Sequence, residues 1–151
     1  MLDSDLLTPG RILANVSINS KKRLLELVSL TLAKKNEDLN SREIFQSLCI
    51  REQLGDTTLG HGVAMPHGRI RGTDDVEAIF LRLVNPLPLA AEDNEPVDLV
   101  FALVVPEKCT EDHTKLLASI AERFSDTELL GQLRKAADSN EIWQLLANAH
   151  P

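Results

Sequence analysis

His67 is the residue of this chain best placed to do chemistry. It lies in the segment GHGVAMPHGR (60–69), between Pro66, which fixes the local backbone, and Gly68, which leaves out a side chain that would crowd the imidazole. That setting suits a ring which a large partner must reach. A histidine nucleophile needs a neutral ring with a free Nε2, and a backbone carbonyl that accepts from Nδ1–H secures that form. The alternative is a turn residue without a chemical role.

His113 is the second candidate, at the start of a predicted helix. Thr110 can cap that helix, which makes His113 its third residue. The apolar residues of its face continue at helical spacing: Leu116, Leu117, Ile120, Ala121 and Phe124. The imidazole is therefore expected at the edge of the core, where free N–H groups and the positive helix end favour a phosphate. A boundary histidine satisfied by its neighbours is the alternative.

Arg51 is the third candidate, because its place in the pattern is unusual for a cation. It follows Ile44 and Leu48 at i+7 and i+3, so it should lie on or beside the buried stripe of a helix. A guanidinium there needs an anion. The anion could be a carboxylate with a structural role or a phosphate held by the planar fork, and the spacing leaves both open.

A metal site built from His61, His67 and His113 is disfavoured. The six-residue spacing of the first two is not a metal signature, and no carboxylate motif accompanies them. His61 by itself is expected to be an exposed loop residue, and His150 to be solvated at the end of the chain. Because no GxSxG, GxxxxGK[ST] or GxGxxG motif occurs, neither a serine hydrolase nor a nucleotide-binding protein is indicated. We predict no metal and no cofactor.

The elements that position these residues are expected to form one domain. The chain has 151 residues, with 43% hydrophobic and 26% charged residues, which is an ordinary globular composition. Its formal charge of −7 and pI near 5.1 repel phosphate backbones and anionic lipid. With aromatic residues at 3%, there is also little material for stacking on bases. Nucleic acid and membrane are therefore not expected as partners.

The sequence predicts a cytoplasmic protein. The longest apolar run, Leu99 to Val105, has seven residues, far fewer than the about 20 of a membrane helix. The first residues, MLDSDLL, carry two aspartates and no basic region, so a secretory leader is not expected. Cys49 falls in a helical pattern and Cys109 near a loop, without CxxC spacing. Both cysteines are expected to be reduced and structural.

The hydrophobic pattern predicts strands mixed with helices. Strands are expected over 12–18, 76–84 and 97–105, and the last is apolar enough to be central and covered on both faces. Helices are expected over 21–35 with Ser20 as cap, and from Asn40 or Ser41 to before Gly55. Three more are expected over 111–124, 126–137 and 139–149, capped by Thr110, by Ser125 or Asp126, and by Asp138 or Ser139. This order implies an α/β fold, a sheet with helices on both sides.

Two segments are predicted to be loops. Residues 55–72 hold Gly55, Gly60, Gly62, Gly68 and Gly72 with little apolar periodicity, and function is expected there. Residues 85–96, NPLPLAAEDNEP, read as an acidic loop. The candidate nucleophile thus lies in the first of these loops.

The chain resembles a known family, the IIA proteins of the bacterial phosphoenolpyruvate-dependent sugar phosphotransferase system (PTS) of the fructose and mannitol type, and most closely their nitrogen-regulatory branch. The segments that carry the resemblance are REQLGDTTLGHGVAMPHGR (51–69), LVNPLPLAAEDNEPVDLVFALVVP (83–106) and HTKLLASIAERF (113–124). They are long and occur in order, and the resemblance runs from about residue 7 to residue 146. It implies the EIIA type 2 fold, a single domain with a mixed sheet between helices. One departure is His61, where nitrogen-regulatory members have asparagine.

The resemblance also implies roles for the three candidate residues. His67 matches the histidine that accepts a phosphoryl group on Nε2 from the phosphohistidine of a small HPr-like (NPr-type) carrier. His113 matches a second active-site histidine that helps to hold the phosphoryl group, and Arg51 an arginine that stabilises it. Regulatory targets, such as potassium-transport or sensor proteins, are further implied partners. Transfer between imidazoles through a loose transition state needs positioning and charge stabilisation, and neither a metal nor a nucleotide.

Three functions remain open at this point. The first is a regulatory phosphocarrier whose phosphorylation state is a signal. The second is a sugar-transport IIA component that passes the phosphoryl group to a IIB protein. The third is a binding module in which His67 is never phosphorylated. The chain ends at Pro151 without a IIB-like segment, which favours the first, and the joint presence of the three candidates speaks against the third.

Overall fold

Six strands and five α-helices form in the part of the chain that the structure, a computed structural model, describes: residues 6–89, 95–108 and 110–148. The strands are β1 (Ile12–Val16), β2 (Thr58–Gly60), β3 (Val63–Ala64), β4 (His67–Ile70), β5 (Glu77–Leu87) and β6 (Val97–Pro106). The helices are α1 (Lys21–Lys35), α2 (Ser41–Gln53), α3 (Glu111–Arg123), α4 (Thr127–Lys135) and α5 (Ser139–Asn148). A single 3-10 turn, Pro9–Arg11, precedes β1.

The strands form one mixed sheet in the order β1-β5-β6-β3-β2, with β4 also paired to β6. Strand β6 pairs antiparallel with β5 on one side, and parallel with β3 and then β4 on the other. Strand β1 pairs parallel with β5, and β2 antiparallel with β3. Strand β6, at the centre of the sheet, therefore pairs along one side with β3 and then with β4. His67 is the first residue of β4.

Helices cover both faces of this sheet because side chains alternate along its central strands. On β6, Leu99, Phe101, Leu103 and Val105 pack into a core with α3, α4 and α5. Val100, Ala102 and Val104 pack into a second core with α1 and α2. The predicted α/β fold, a mixed sheet flanked by helices on both sides, is confirmed, as is the central position of the most apolar strand.

The predicted helix caps are confirmed. The Ser20 hydroxyl accepts from the Arg23 N–H at 3.1 Å, and Asn40 accepts from the Glu43 N–H at 3.1 Å. The Asp126 carboxylate caps α4, and Asp138 accepts from the Glu141 N–H at 2.9 Å. Each cap satisfies an N–H that the first turn of a helix leaves without a backbone partner.

Both predicted loops are wrong in part. Residues 55–72 contain β2, β3 and β4, which are so short and glycine-rich that no two-residue alternation could be seen in them. Strand β5 runs on through Pro86 to Leu87, because buried Leu87 pairs with Val97 after a break in register. Strand β1 ends at Val16, two residues before its predicted end. The other element bounds agree with prediction to within about three residues.

Two further sequence predictions concern the cysteines and the membrane. Cys49 lies on α2 as a free thiol, and burial, helped by Glu52, raises its pKa above the usual value. Cys109, like His150, lies outside the described residues. In those that are described, no helix is both long enough and apolar enough to span a bilayer.

Candidate functional site

The His67 ring is fixed by a backbone contact of its own segment. His67 is half-buried at the start of β4, where it pairs with Leu103 of β6. Its Nδ1 lies 2.8 Å from the carbonyl oxygen of Met65. Since a carbonyl only accepts, Nδ1 carries the proton in this contact, and Nε2 of the neutral ring keeps its lone pair.

The surroundings of His67 keep the ring neutral at pH 7. Burial, the largest effect, lowers the pKa of His67 below its ordinary value of 6.5, and the charge of Arg51 lowers it further. The hydrogen bond to Met65 and the charge of Glu52 act in the opposite direction. The net effect is a lowered pKa, so an unprotonated Nε2 is available at neutral pH.

Helix α2 lies along β4 in a regular series of contacts. The Arg71 N–H donates to the Glu43 carboxylate at 3.0 Å, and the Ser47 hydroxyl donates to the Arg69 carbonyl at 2.7 Å. Each step of four residues along the helix covers about 6 Å, and each step of two residues back along the strand covers about 6.6 Å. The next step in this series falls at Arg51 and His67, and the charge of Arg51 acts on the His67 ring. The site arginine is thus brought to the site histidine by the register of a helix against a strand.

The packing of α2 on β4 requires a glycine at position 68, which is a different reason for this glycine from the one predicted. The sequence suggested that its missing side chain gives a partner access to the imidazole. Gly68 is buried, and a Cβ there would lie 2.3 Å from Oγ and 3.1 Å from Cβ of Ser47. The glycine therefore makes room for α2, because the helix approaches β4 too closely for any side chain at this position.

A cavity of about 760 Å³ opens between α2, β4 and α3. His67 and Arg51 both line it, together with Ser47, Arg69, Arg71, Thr114, Leu117 and others. The structure thus brings two of the three predicted site residues to one cavity. The chain segments around it supply several donors, including three guanidinium groups.

Arg51 has no carboxylate partner among the residues that the structure describes. Its Nη1 donates to the Gly55 carbonyl, 3.0 Å away, at the end of its own helix. Of the two anions that the sequence left open, a structural carboxylate is therefore not observed. The half-buried guanidinium keeps donors for an anion that enters the cavity.

His113 is held by the start of α3. It is half-buried, its Nδ1 accepts from the Thr110 N–H at 3.1 Å, and its own N–H donates to the Thr110 hydroxyl in a capping box. An Nδ1 that accepts leaves the proton on Nε2, so the ring is a donor at its outer nitrogen. His113 is not among the residues that line the cavity, although Thr114 and Leu117 of the same helix are.

His61 lies in the two-residue turn between β2 and β3. Both turn residues have positive φ, 55° at His61 and 79° at Gly62, which matches the turn that joins tight hairpins. The His61 carbonyl accepts from Arg134 at 2.5 Å, and Arg134 also binds Asp98 at 2.9 Å. The imidazole is exposed, as predicted, and His61 does not line the cavity.

Sequence reasoning missed Glu52, Thr57 and Ser47. The spacing of four between polar Glu43, Ser47 and Arg51 on an amphipathic helix was the available signal for Ser47. Glu52 and Thr57 gave none, because Lys21, the cationic partner of Glu52, lies in another helix, and Thr57 lies beyond the end of α2, outside the helical pattern. Within the described part of the chain, no group of three or more His, Cys, Asp or Glu side chains is arranged to hold a metal ion.

The fold and the site define a class of protein: a single α/β domain with a neutral, backbone-fixed imidazole beside a guanidinium in an open cavity. Comparison with known proteins narrows this class. The family described as "Phosphoenolpyruvate-dependent sugar phosphotransferase system, EIIA 2" matches residues 5–149. The nitrogen regulatory protein of Pseudomonas aeruginosa is 38% identical over 143 residues, covering 95% of this chain and 93% of that protein.

Two further relatives agree. The nitrogen regulatory protein homolog of Haemophilus influenzae is 42% identical over 149 residues, covering 94% of this chain and 88% of the homolog. The crystal structure of nitrogen regulatory protein IIA-Ntr from Neisseria meningitidis superposes with a TM-score of 0.89 at 35% identity, covering 95% of this chain and 97% of that one. The chain therefore belongs to the EIIA type 2 family, whose members are phosphotransferase components, and the predicted resemblance to its nitrogen-regulatory branch is confirmed.

Proposed function

We propose that this protein is a regulatory phosphocarrier of the cytoplasm. It accepts a phosphoryl group on Nε2 of His67 from the phosphohistidine of an HPr-like (NPr-type) carrier, and its phosphorylation state is the signal. The observation that carries this proposal is the hydrogen bond of His67 Nδ1 to the Met65 carbonyl, which leaves Nε2 as the unprotonated nitrogen of a neutral ring. Membership of the EIIA type 2 family supports it.

The transfer step exchanges one N–P bond for another. The lone pair of His67 Nε2 forms a bond to phosphorus while the bond to the donor imidazole breaks, and that electron pair returns to the donor nitrogen. The proton on His67 Nδ1 stays in its hydrogen bond to Met65 throughout, so no general base is needed. The barrier is lowered by in-line positioning and by groups that stabilise charge on the three phosphoryl oxygens.

Arg51 and His113 are proposed to stabilise that charge. The Arg51 guanidinium lines the cavity and pairs with no carboxylate of the described residues, and its planar fork suits two phosphoryl oxygens. His113 carries a proton on Nε2 because Nδ1 accepts from the Thr110 N–H, so the ring can donate to a phosphoryl oxygen. The N–H groups at the start of α3 add the positive end of a helix.

The rim of the cavity supports a protein as the donor. Ile50 of α2 and Leu54, the C-cap residue of that helix, both line the cavity and are 61% and 80% exposed. Large apolar side chains at the edge of a charged site are typical of surfaces that a partner protein covers. We expect the donor carrier to pack against these two residues while its phosphohistidine enters the cavity.

Signalling follows from the charge that phosphorylation adds. A phosphoryl group brings about two negative charges to a surface that carries Arg51, Arg69 and Arg71, and so changes which proteins can dock there. Regulatory targets of the kind that the family resemblance implies, potassium-transport or sensor proteins, would read this change. A IIB acceptor is the competing destination for the phosphoryl group.

The test is incubation with phosphoenolpyruvate, enzyme I and an HPr-type carrier, followed by mass spectrometry without acid. We expect one acid-labile phosphate on the wild type and none on His67→Ala, with both proteins folded by circular dichroism. A phosphate on His67→Ala would refute the assignment of the acceptor. Adding a IIB protein to the phosphorylated wild type then separates the two destinations, since only a transport component loses its phosphate rapidly.

A further inference from the structure

Glu52 is a carboxylate in an unfavourable place. It lies in the last turn of α2, where the negative end of the helix opposes an anion, and its side chain is only 8% exposed. Lys21 of α1 holds one of its oxygens at 2.7 Å, and the Thr57 hydroxyl donates to the other. These two partners each bind one oxygen of the carboxylate. They do not explain why a carboxylate is there.

Thr57 links this carboxylate to the His67 ring. Thr57 is buried, and its carbonyl accepts from the Met65 N–H at 2.9 Å. The Met65 carbonyl in turn accepts from His67 Nδ1 at 2.8 Å. Glu52, Thr57, Met65 and His67 are thus joined in series by three hydrogen bonds, and the last of them decides which ring nitrogen carries the proton.

The charge of Glu52 also acts on the ring directly. It raises the pKa of His67, against burial and against Arg51. When Nε2 binds phosphorus while Nδ1 keeps its proton, the ring gains a positive charge, just as it does when Nε2 binds a proton. A nearby anion that favours the protonated ring therefore also favours the phosphorylated one.

We propose that Glu52 and Thr57 are positioning residues for His67: they hold the Met65 carbonyl against Nδ1 and place a fixed negative charge beside the ring that becomes positive on phosphorylation. This rests on the proposed role of His67 as the acceptor. Arg51 then stabilises the negative charge of the phosphoryl oxygens. Glu52, the next residue in the sequence, stabilises the positive charge of the ring.

The first test separates the hydroxyl of Thr57 from its size. Thr57→Val keeps the shape but cannot donate to Glu52, whereas Thr57→Ser keeps the donor. In unphosphorylated protein with 15N-labelled histidine, we expect Thr57→Val to increase the fraction of His67 with its proton on Nε2. Phosphoryl acceptance from a purified phosphorylated carrier should slow about tenfold, the equivalent of one modest interaction lost in the transition state. Thr57→Ser should restore both quantities.

The second test removes only the charge of Glu52. Glu52→Gln keeps an oxygen that accepts from Thr57, so the ring should keep its proton on Nδ1. We expect the NMR-measured pKa of His67 to fall further, and the equilibrium of phosphoryl transfer to shift about tenfold toward the donor. Glu128→Gln on α4, an exposed carboxylate distant in sequence, is the matched control and should change neither quantity.

The outcomes distinguish this inference from the proposed function. Wild-type protein that accepts no phosphate contradicts the proposed function, while the tautomer and pKa of His67 still report on Glu52 and Thr57. Unchanged tautomer and rate in folded Thr57→Val contradict the positioning role of the hydroxyl. If Thr57→Val does not fold, Glu52→Gln decides, because a His67 pKa equal to that of the wild type overturns the role of the charge.

Discussion

At the scale of single residues, His67 must meet two requirements that oppose each other. The ring has to be neutral before the reaction, which burial and Arg51 favour, and it carries a positive charge afterwards, which Met65 and Glu52 favour. A backbone carbonyl suits both stages because it accepts from Nδ1–H in either form. The pKa of the free ring therefore reports the balance between these groups.

The pH dependence of phosphoryl acceptance tests this balance. Because the pKa of His67 lies below its ordinary 6.5, more than half of the rings are still neutral at pH 6.5. We expect the acceptance rate to be level near pH 8 and to reach half of that level only below pH 6.5, as Nε2 becomes protonated. A stopped-flow series with purified phosphorylated carrier measures it. A rate already halved at or above pH 6.5 would contradict the lowered pKa.

Arg51→Lys tests the role of the guanidinium. Within the ranges that the structure describes, Arg51 binds the Gly55 carbonyl and no carboxylate, so it contributes little to the unphosphorylated fold. We expect the free energy of unfolding to fall by at most about 1 kcal/mol, while phosphoryl acceptance slows by roughly tenfold or more through loss of the bidentate fork. Thermal melts and transfer assays measure the two effects. A loss of about 3 to 5 kcal/mol with normal transfer would instead indicate a buried ion pair.

His113 needs a substitution that spares its structural contact. Alanine would remove the capping box and cost about 1 kcal/mol whatever the chemistry. Glutamine at the third helical position can keep the contact with Thr110 while it removes the imidazole. We expect His113→Gln to melt near the wild type and to transfer its phosphoryl group about 100-fold more slowly, as for other lost donors to transition-state oxygens. An unchanged rate in both directions would exclude His113 from the mechanism.

At the scale of elements, the site depends on how closely α2 lies against β4. Three residues at four-residue intervals on α2 face β4: Glu43, Ser47 and Arg51. Their positions match strand residues taken at two-residue intervals in the reverse chain direction. The close approach is possible because residue 68 has no side chain. The distance between Arg51 and His67 therefore depends on the neighbouring contact between Ser47 and Gly68.

A double-mutant cycle at Ser47 and Gly68 measures this contact. Gly68→Ala places a Cβ 2.3 Å from the Ser47 hydroxyl oxygen, so we expect a loss of about 1 to 3 kcal/mol and slower transfer. Ser47→Ala alone should cost about 1 kcal/mol for its hydrogen bond to Arg69. Combined with Gly68→Ala, it removes the shortest contact and should recover part of both losses, which urea melts and transfer assays would detect. Strictly additive losses would contradict the packing role of Gly68.

At the scale of the whole molecule, stability and chemistry reside in different places. A hydrophobic core covers each face of the sheet. Phe124, at the end of α3, packs against the sheet, and its ring centroid lies 6.1 Å from that of Phe80 and 5.5 Å from that of Phe101. The cavity lies at the edge of this body, between helices that each contribute to a core. Its rim is apolar and exposed where a partner is expected.

A pair of substitutions should separate the two regions. Phe124→Ala empties a fully packed position and is expected to cost about 3 to 5 kcal/mol. Leu54→Ala changes a side chain that is 80% exposed, so the free energy of unfolding should stay within about 0.5 kcal/mol, while the KM for the phosphorylated carrier rises. Chemical denaturation and transfer kinetics measure both. A Leu54→Ala variant with an unchanged KM would remove this residue from the docking surface.

Local rules were enough to predict the helices, their caps and the central strand. Helical periodicity and a capping side chain act within a few residues, so they can be recognised in the sequence alone. For the same reason His67, His113 and Arg51 could be named as candidates from their immediate neighbours. The resemblance to the EIIA type 2 family drew on long ordered motifs and was confirmed.

Only the tertiary structure decided how those residues meet. The strands between Gly55 and Gly72 exist because β6 and α2 supply partners for segments too short to show a pattern, and Gly68 is explained by a helix 21 residues earlier in the chain. The burial of Glu52 likewise depends on Lys21, which lies in another helix. Contacts between distant segments depend on the global packing of the chain, and no local pattern records them.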